Sequence, residues 1–126
     1  MILQQAIEQP KREFISPYVF VGLKSHDKTY NKAQKIINTV CLAYNVEFKK
    51  IDNKKRDREI VQVRQAIMYF LRKETSLSLK AISALFKDPF DHSTTIHGIK
   101  TYYDIYHQDK MMLANHDIII EKLSTI

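Results

Sequence analysis

Glycine and proline are scarce in this chain of 126 residues, which has two glycines, Gly22 and Gly98, and three prolines, Pro10, Pro17 and Pro89. So few breakers leave long stretches free to form helix, and nothing after Lys24 alternates in the two-residue period of a half-buried strand. Two glycines also exclude a Gly-rich phosphate loop ending in Gly-Lys-Ser/Thr, so the sequence holds no nucleotide-binding motif of that type. A single cysteine, Cys41, excludes a disulfide framework and makes a reducing cytoplasm the expected compartment. No apolar run approaches the ~20 residues of a membrane-spanning helix. Met1 to Gln5 has neither the charge nor the apolar stretch of a signal peptide, so the expectation is a soluble, intracellular protein without a membrane partner.

Catalytic chemistry is missing as well. Cys41 lies beside an apolar helical stripe and reads as a buried thiol. His92 and His97 are five residues apart and do not share a helix face, and no zinc-ligand cluster exists. The expectation is no enzyme, no cofactor and no metal.

What is present is positive charge, and it is concentrated. The formal net charge is +6. From Lys49 to Lys73 stand nine basic residues (Lys49, Lys50, Lys54, Lys55, Arg56, Arg58, Arg64, Arg72, Lys73) against three acidic ones (Asp52, Asp57, Glu59), and the rest of the chain is balanced. All the excess thus lies just before and along one helix, the footprint of a polyanion binder. A solvated charge run is the bland alternative.

Apolar periodicity predicts a series of helices. From about Lys28 to Asn45, Ala33, Ile37, Val40 and Tyr44 form one stripe with Ile36 and Cys41 beside it. Val46 to Asn53 is a connection in which Val46, Phe48 and Ile51 anchor a short turn. From about Asp57 to Glu74 the stripe is Ile60, Val63, Ile67, Phe70 and Leu71; Gln65 and Arg72 lie off it, and Arg64 borders it. Ser78 to Phe86 reads as a short amphipathic helix capped by Ser78. Asp91 caps the next helix, whose stripe Ile96, Ile99, Tyr103 and Tyr106 runs to about Gln108, and a last helix covers about Met111 to Leu123. The run Asp91-His92-Ser93-Thr94-Thr95-Ile96-His97 opens its helix with hydroxyl and imidazole groups. Free N–H groups at such a helix start favour phosphate, while Ser, Thr and His can meet base edges in a major groove. Together with the Ser78 helix this reads as a helix-turn-helix.

Three blocks, Arg58 to Tyr69, Ser76 to Ile82 and Asp91 to His97, resemble in order and spacing the C-terminal DNA-binding domain (domain IV) of the bacterial replication initiator DnaA. With the preceding helix, the resemblance covers roughly residues 33 to 107. It implies an all-α fold, a compact helical domain with a Trp-repressor-like helix-turn-helix, here with a partly extended N-terminal arm and a C-terminal helix. The corresponding division is 1–27 arm, 28–108 DNA-binding domain and 109–126 helical extension. Lacking the phosphate loop, it would be a stand-alone domain without the ATPase module. Its expected partner is double-stranded DNA carrying a DnaA-box-like site, bound by a monomer in the nucleoid, with no nucleotide.

The resemblance also implies roles residue by residue. Arg56 matches the position that enters the minor groove, where a narrow A·T-rich tract attracts a guanidinium. Lys54, Lys55 and Arg58 would follow phosphates. Arg64 and Gln65 match an Arg-Gln pair, Arg64 for a base and Gln65 for the backbone. Arg72 matches a phosphate-binding lysine, and Lys80, where the family often has proline, is a further phosphate candidate. Asp91, His92, Ser93 and Thr94 match the base-reading residues. Asp91 can also be only a cap and His92 only a surface histidine. His97 fits core packing as well as DNA contact.

Several positions depart from the family. Ser93 replaces the usual threonine, Thr95 a usual valine or isoleucine, and Lys87-Asp88-Pro89-Phe90 replaces a glycine pair and a basic residue with one residue more. The recognition helix is therefore expected to be tilted or shifted and the preferred site altered, with Phe90 an apolar anchor ahead of the cap. Phe14 to Gly22 reads as an extended apolar segment that drapes over the core or docks a partner. The alternative function is a protein-interaction module with the N-terminal arm and Ile118-Ile119-Ile120 as docking surfaces.

Overall fold

Helix stop and start signals divide the chain into short elements. The computed structural model describes residues 24–87 and 89–125, so the N-terminal arm and Asp88 lie outside the described residues. Two compact units are distinguished, 1–32 and 33–126. Of the first, only the start of helix α1 (Lys24–Ala43) is described; the second contains the core.

Helix α1 ends in a Schellman turn. Asn45 takes a left-handed φ of 56°, the Val46 N–H donates to the Cys41 carbonyl at 3.0 Å, and the Asn45 N–H donates to that of Leu42 at 3.1 Å. Asparagine tolerates this conformation, and Val46 then packs against the core. After the four-residue helix α2 (Phe48–Ile51), α3 (Arg58–Glu74) runs through the centre of the domain. Ser78 caps α4 (Leu79–Ala84), its hydroxyl accepting from the Ala81 N–H at 3.1 Å. Asp91 caps α5 (His92–Ile105) by accepting from the Thr94 N–H at 2.8 Å. A 3-10 turn (Tyr106–Gln108) leads to α6 (Lys110–Leu123). There Asp109 accepts from the N–H groups of Met111 and Met112, at 2.9 and 3.1 Å. The described residues are helices and turns with no strand, so the all-α expectation holds. No helix among them is long and apolar enough to cross a membrane.

The core joins Ala33, Ile36, Ile37, Val40 and Cys41 of α1 to Val63, Ala66, Ile67, Phe70 and Leu71 of α3, with Ile51, Ile82, Phe86, Tyr102, Met112 and Ile119 around them. Burial pushes the Cys41 thiol up to about 11, which keeps it protonated and inert. The buried face of α5 differs from the expected stripe. Thr95, Gly98 and Tyr102 are buried, while Ile96 and Tyr103 are exposed by 43% and 59%. The cause is Gly98: a Cβ there would lie 3.0 Å from the Met68 sulfur and 3.4 Å from Gln65 Cγ, so α3 and α5 meet closely at a position without a side chain. Thr95 can be buried because its hydroxyl donates to the Asp91 carbonyl at 3.2 Å.

Helix α6 belongs to the core rather than trailing from it. Met112, His116 and Ile119 are buried. His116 Nδ1 shares a hydrogen bond with the Tyr102 hydroxyl at 2.9 Å, and its ring stacks on Tyr106 with centroids 3.9 Å apart. Of the tail isoleucines, Ile118 and Ile120 are each 41% exposed, but Ile119 is fully buried, so it is core and not a docking surface.

Candidate nucleic-acid interface

The basic loop is residues 52–57, between α2 and α3. Left alone, Lys54, Lys55 and Arg56 would repel one another, yet the backbone beneath them is closely bonded. Asn53 organises it: its Oδ1 accepts from the Lys55 N–H and its Nδ2 donates to the Lys50 carbonyl, both at 2.9 Å. This is a side chain standing in for a backbone turn. From α3, Arg64 reaches underneath. Its guanidinium donates to the Lys55 carbonyl at 2.5 Å, to Asn53 Oδ1 at 3.4 Å and to the Ile51 carbonyl at 3.5 Å. Arg64 is 5% exposed, and burial lowers its pKa from the ordinary arginine value, though the group stays cationic at neutral pH. Asp52 ties the loop to the far side, its carboxylate accepting from the Lys87 N–H.

The loop therefore stands as a braced platform with Lys54, Lys55 and Arg56 exposed on it. Arg64, expected at a base edge, has its guanidinium turned into the loop, and Asn53 and Asp52 went unnoticed in the sequence. The Asp-Asn pair ahead of a lysine run is a turn signal that could have marked them.

The other wall of the site is the start of α5. Among the described residues of the turn before it, Lys87, Pro89 and Phe90, none has a positive φ. Ser83 donates its hydroxyl to the Phe90 carbonyl, holding the chain just ahead of the cap. The Thr94 N–H bond to Asp91 lowers that carboxyl below the ordinary carboxylate value, helped by the Thr94 hydroxyl, Lys54 and His92, so Asp91 is ionised at neutral pH. His92, Ser93 and Thr94 are exposed on the first turn. His97 is also exposed, 3.4 Å from the Thr101 hydroxyl, which removes the core-packing reading for it.

Between platform and helix runs an open cleft of about 620 Å³. Lys54 and Arg56 line it from the loop, Arg64, Gln65 and Met68 from α3, and Phe90, Asp91, Thr94 and His97 from the turn and α5. Lys55 and Arg58 are exposed beside it. Two expected phosphate contacts lie elsewhere. Arg72 donates to the Leu77 carbonyl at 3.1 Å and borders a second, apolar groove with Tyr69, Leu79, Ile96, Ile99, Lys100 and Tyr103. Lys80 is exposed on α4 and lines neither groove. No group of three or more His, Cys, Asp or Glu among the described residues could hold a metal ion.

Comparison with known proteins identifies the family. Residues 33–101 match the family model described as the bacterial dnaA protein helix-turn-helix. The chain is similar to the chromosomal replication initiator protein DnaA of Bacteroides fragilis, with 39% identity over 66 residues, 52% of this chain and 14% of the relative. With that of Flavobacterium psychrophilum it shares 30% over 105 residues, 83% of this chain and 21% of the relative. With that of Oenococcus oeni it shares 37% over 90 residues, 71% of this chain and 19% of the relative. The chain therefore spans about a fifth of the length of these curated relatives or less. No solved structure matches it.

Proposed function

This chain belongs to the bacterial DnaA helix-turn-helix family, a DNA-binding module, and from that premise we propose that it reads a DnaA-box-like duplex site as an accessory or regulator of replication or transcription. The observation that carries the reading is the cleft, where a basic loop and the capped start of a helix converge on one side of α3. In this reading Arg56 enters the minor groove while Asp91, His92, Ser93 and Thr94 face base edges in the major groove. Lys54, Lys55, Arg58 and Gln65 hold the backbone, and Arg72 and Lys80 serve flanking phosphates. For Arg64 we propose bracing of the loop in place of a base contact. A monomer acting on the nucleoid, in the cytoplasm, is part of the proposal.

The test is a fluorescence-anisotropy titration against a duplex carrying an initiator-type box and against a scrambled duplex, each at two salt concentrations. Tighter binding to the box is the expected result. Equal but salt-sensitive binding would reduce the protein to a phosphate binder. No binding to either would favour the second reading, a protein-interaction module, which the exposed apolar groove around Ile96 and Tyr103 supports.

A further inference from the structure

Phe90 stands where the two walls of the cleft meet. Its ring lies 5.3 Å from the Arg64 guanidinium carbon and 5.9 Å from Lys54 Nζ, and it meets Phe86 edge to face with centroids 5.4 Å apart. Its carbonyl is held by Ser83, and the next residue is the cap of α5. One aromatic ring thus touches a cation of the loop and the cation that braces the loop, while its own backbone leads into the first turn of the reading helix. Attraction of a cation to a ring face strengthens when the cation is desolvated, as Arg64 is. Asp52, bonded to the Lys87 N–H, joins loop and turn a second time.

We propose that Phe90 is a specificity-determining positioning residue, which locks the distance between the loop and the recognition helix and so fixes the number of base pairs between the two segments they read. This rests on the DNA-reading function proposed above. A lock of this kind matters because loop and helix enter different grooves. A free loop would let Arg56 find its tract at more than one distance from the bases facing Asp91 to Thr94. In the locked form a single spacing is accepted. The residue need not touch DNA to do this.

The test is selection from a randomised duplex pool with the unaltered chain, Phe90→Leu and Phe90→Tyr. Leucine keeps an apolar contact with Phe86 but has no ring face, whereas tyrosine keeps both. The unaltered chain and Phe90→Tyr are expected to return two blocks of preferred bases at one spacing. Phe90→Leu is expected to bind that duplex about fivefold more weakly, to return more than one spacing, and to keep the same salt dependence. Circular dichroism checks that the variant is folded; if leucine unfolds the domain, Phe90→Met replaces it. A folded ringless variant that keeps a single spacing and affinity within about twofold overturns the inference while leaving the DNA-reading function standing. An unaltered chain that selects no preferred sequence overturns both.

Discussion

Arg64 shows how one side chain can serve an interface from behind. A guanidinium carries five donors in a planar fork, and here three bonds run to a carbonyl and an amide oxygen of one short loop and to the last carbonyl of α2. Removing it takes this donor from the Lys55 and Ile51 carbonyls, leaves Asn53 Oδ1 with the Lys55 N–H alone, and frees three exposed cations to move apart. Arg64→Ala is therefore expected to weaken binding of a preferred duplex and to speed amide exchange at residues 52–57. Arg64→Lys should recover little of either, because one ammonium cannot span the same acceptors. Loop exchange unchanged in the alanine variant would show that the brace is dispensable. Asp91 combines a cap with a charge: it begins the helix, and its ionised carboxylate lines the cleft, where in the proposed reading it would reject acceptors and favour a base donor such as the cytosine amino group.

At the scale of elements, α6 is fastened by an aromatic box. The His116 ring is 3% exposed, bonded to Tyr102 and stacked on Tyr106. Burial lowers its pKa, nearby Lys73 adds to that, and Asp117 opposes it. In the unfolded chain the histidine takes up its proton near its ordinary value of 6.5; in the folded chain it does so only at lower pH. Across that window the unfolded state binds more protons, so folding stability falls as pH falls below about 6.5. The midpoint of urea unfolding should drop between pH 7.5 and 5.5, and His116→Gln, which has no proton to gain, should show a smaller drop. Identical drops in both proteins would assign the effect to other groups. The close crossing of α5 on α3 at Gly98 is the other element-scale constraint, since it sets how deep the Asp91 turn sits beside the loop.

For the whole molecule the relevant quantity is the distribution of charge. The net +6 arises between Lys49 and Lys73, and folding puts exposed Lys54, Lys55 and Arg56 on the platform beside the cleft. Phosphate neutralisation by such a surface releases counterions, so affinity should fall steeply with salt. Lys55→Ala is expected to weaken all duplexes alike and to reduce the slope of log affinity against log salt by about 1. A loss confined to one duplex sequence would instead make Lys55 a reader of bases. Arg72 belongs to the same charged segment of the sequence but borders a different groove, and Lys80, beyond that segment, lines neither.

Much of this was legible before folding. Helix α3, with its stripe Val63, Ile67, Phe70 and Leu71, the caps Ser78 and Asp91, the segregation of charge and the family itself depend on neighbours three or four positions away or on composition, and local spacing records these. The tertiary structure alone decided which face of α5 is buried, because the closest approach falls on a glycine that adds nothing to an apolar pattern. It also decided that Arg64 faces the loop nine to thirteen residues before it, that Phe90 lies against two cations, and that Arg72 borders a different groove. Each of these depends on where separate helices cross. A guanidinium or a ring takes its partner from that crossing, and residue order along the chain does not encode it.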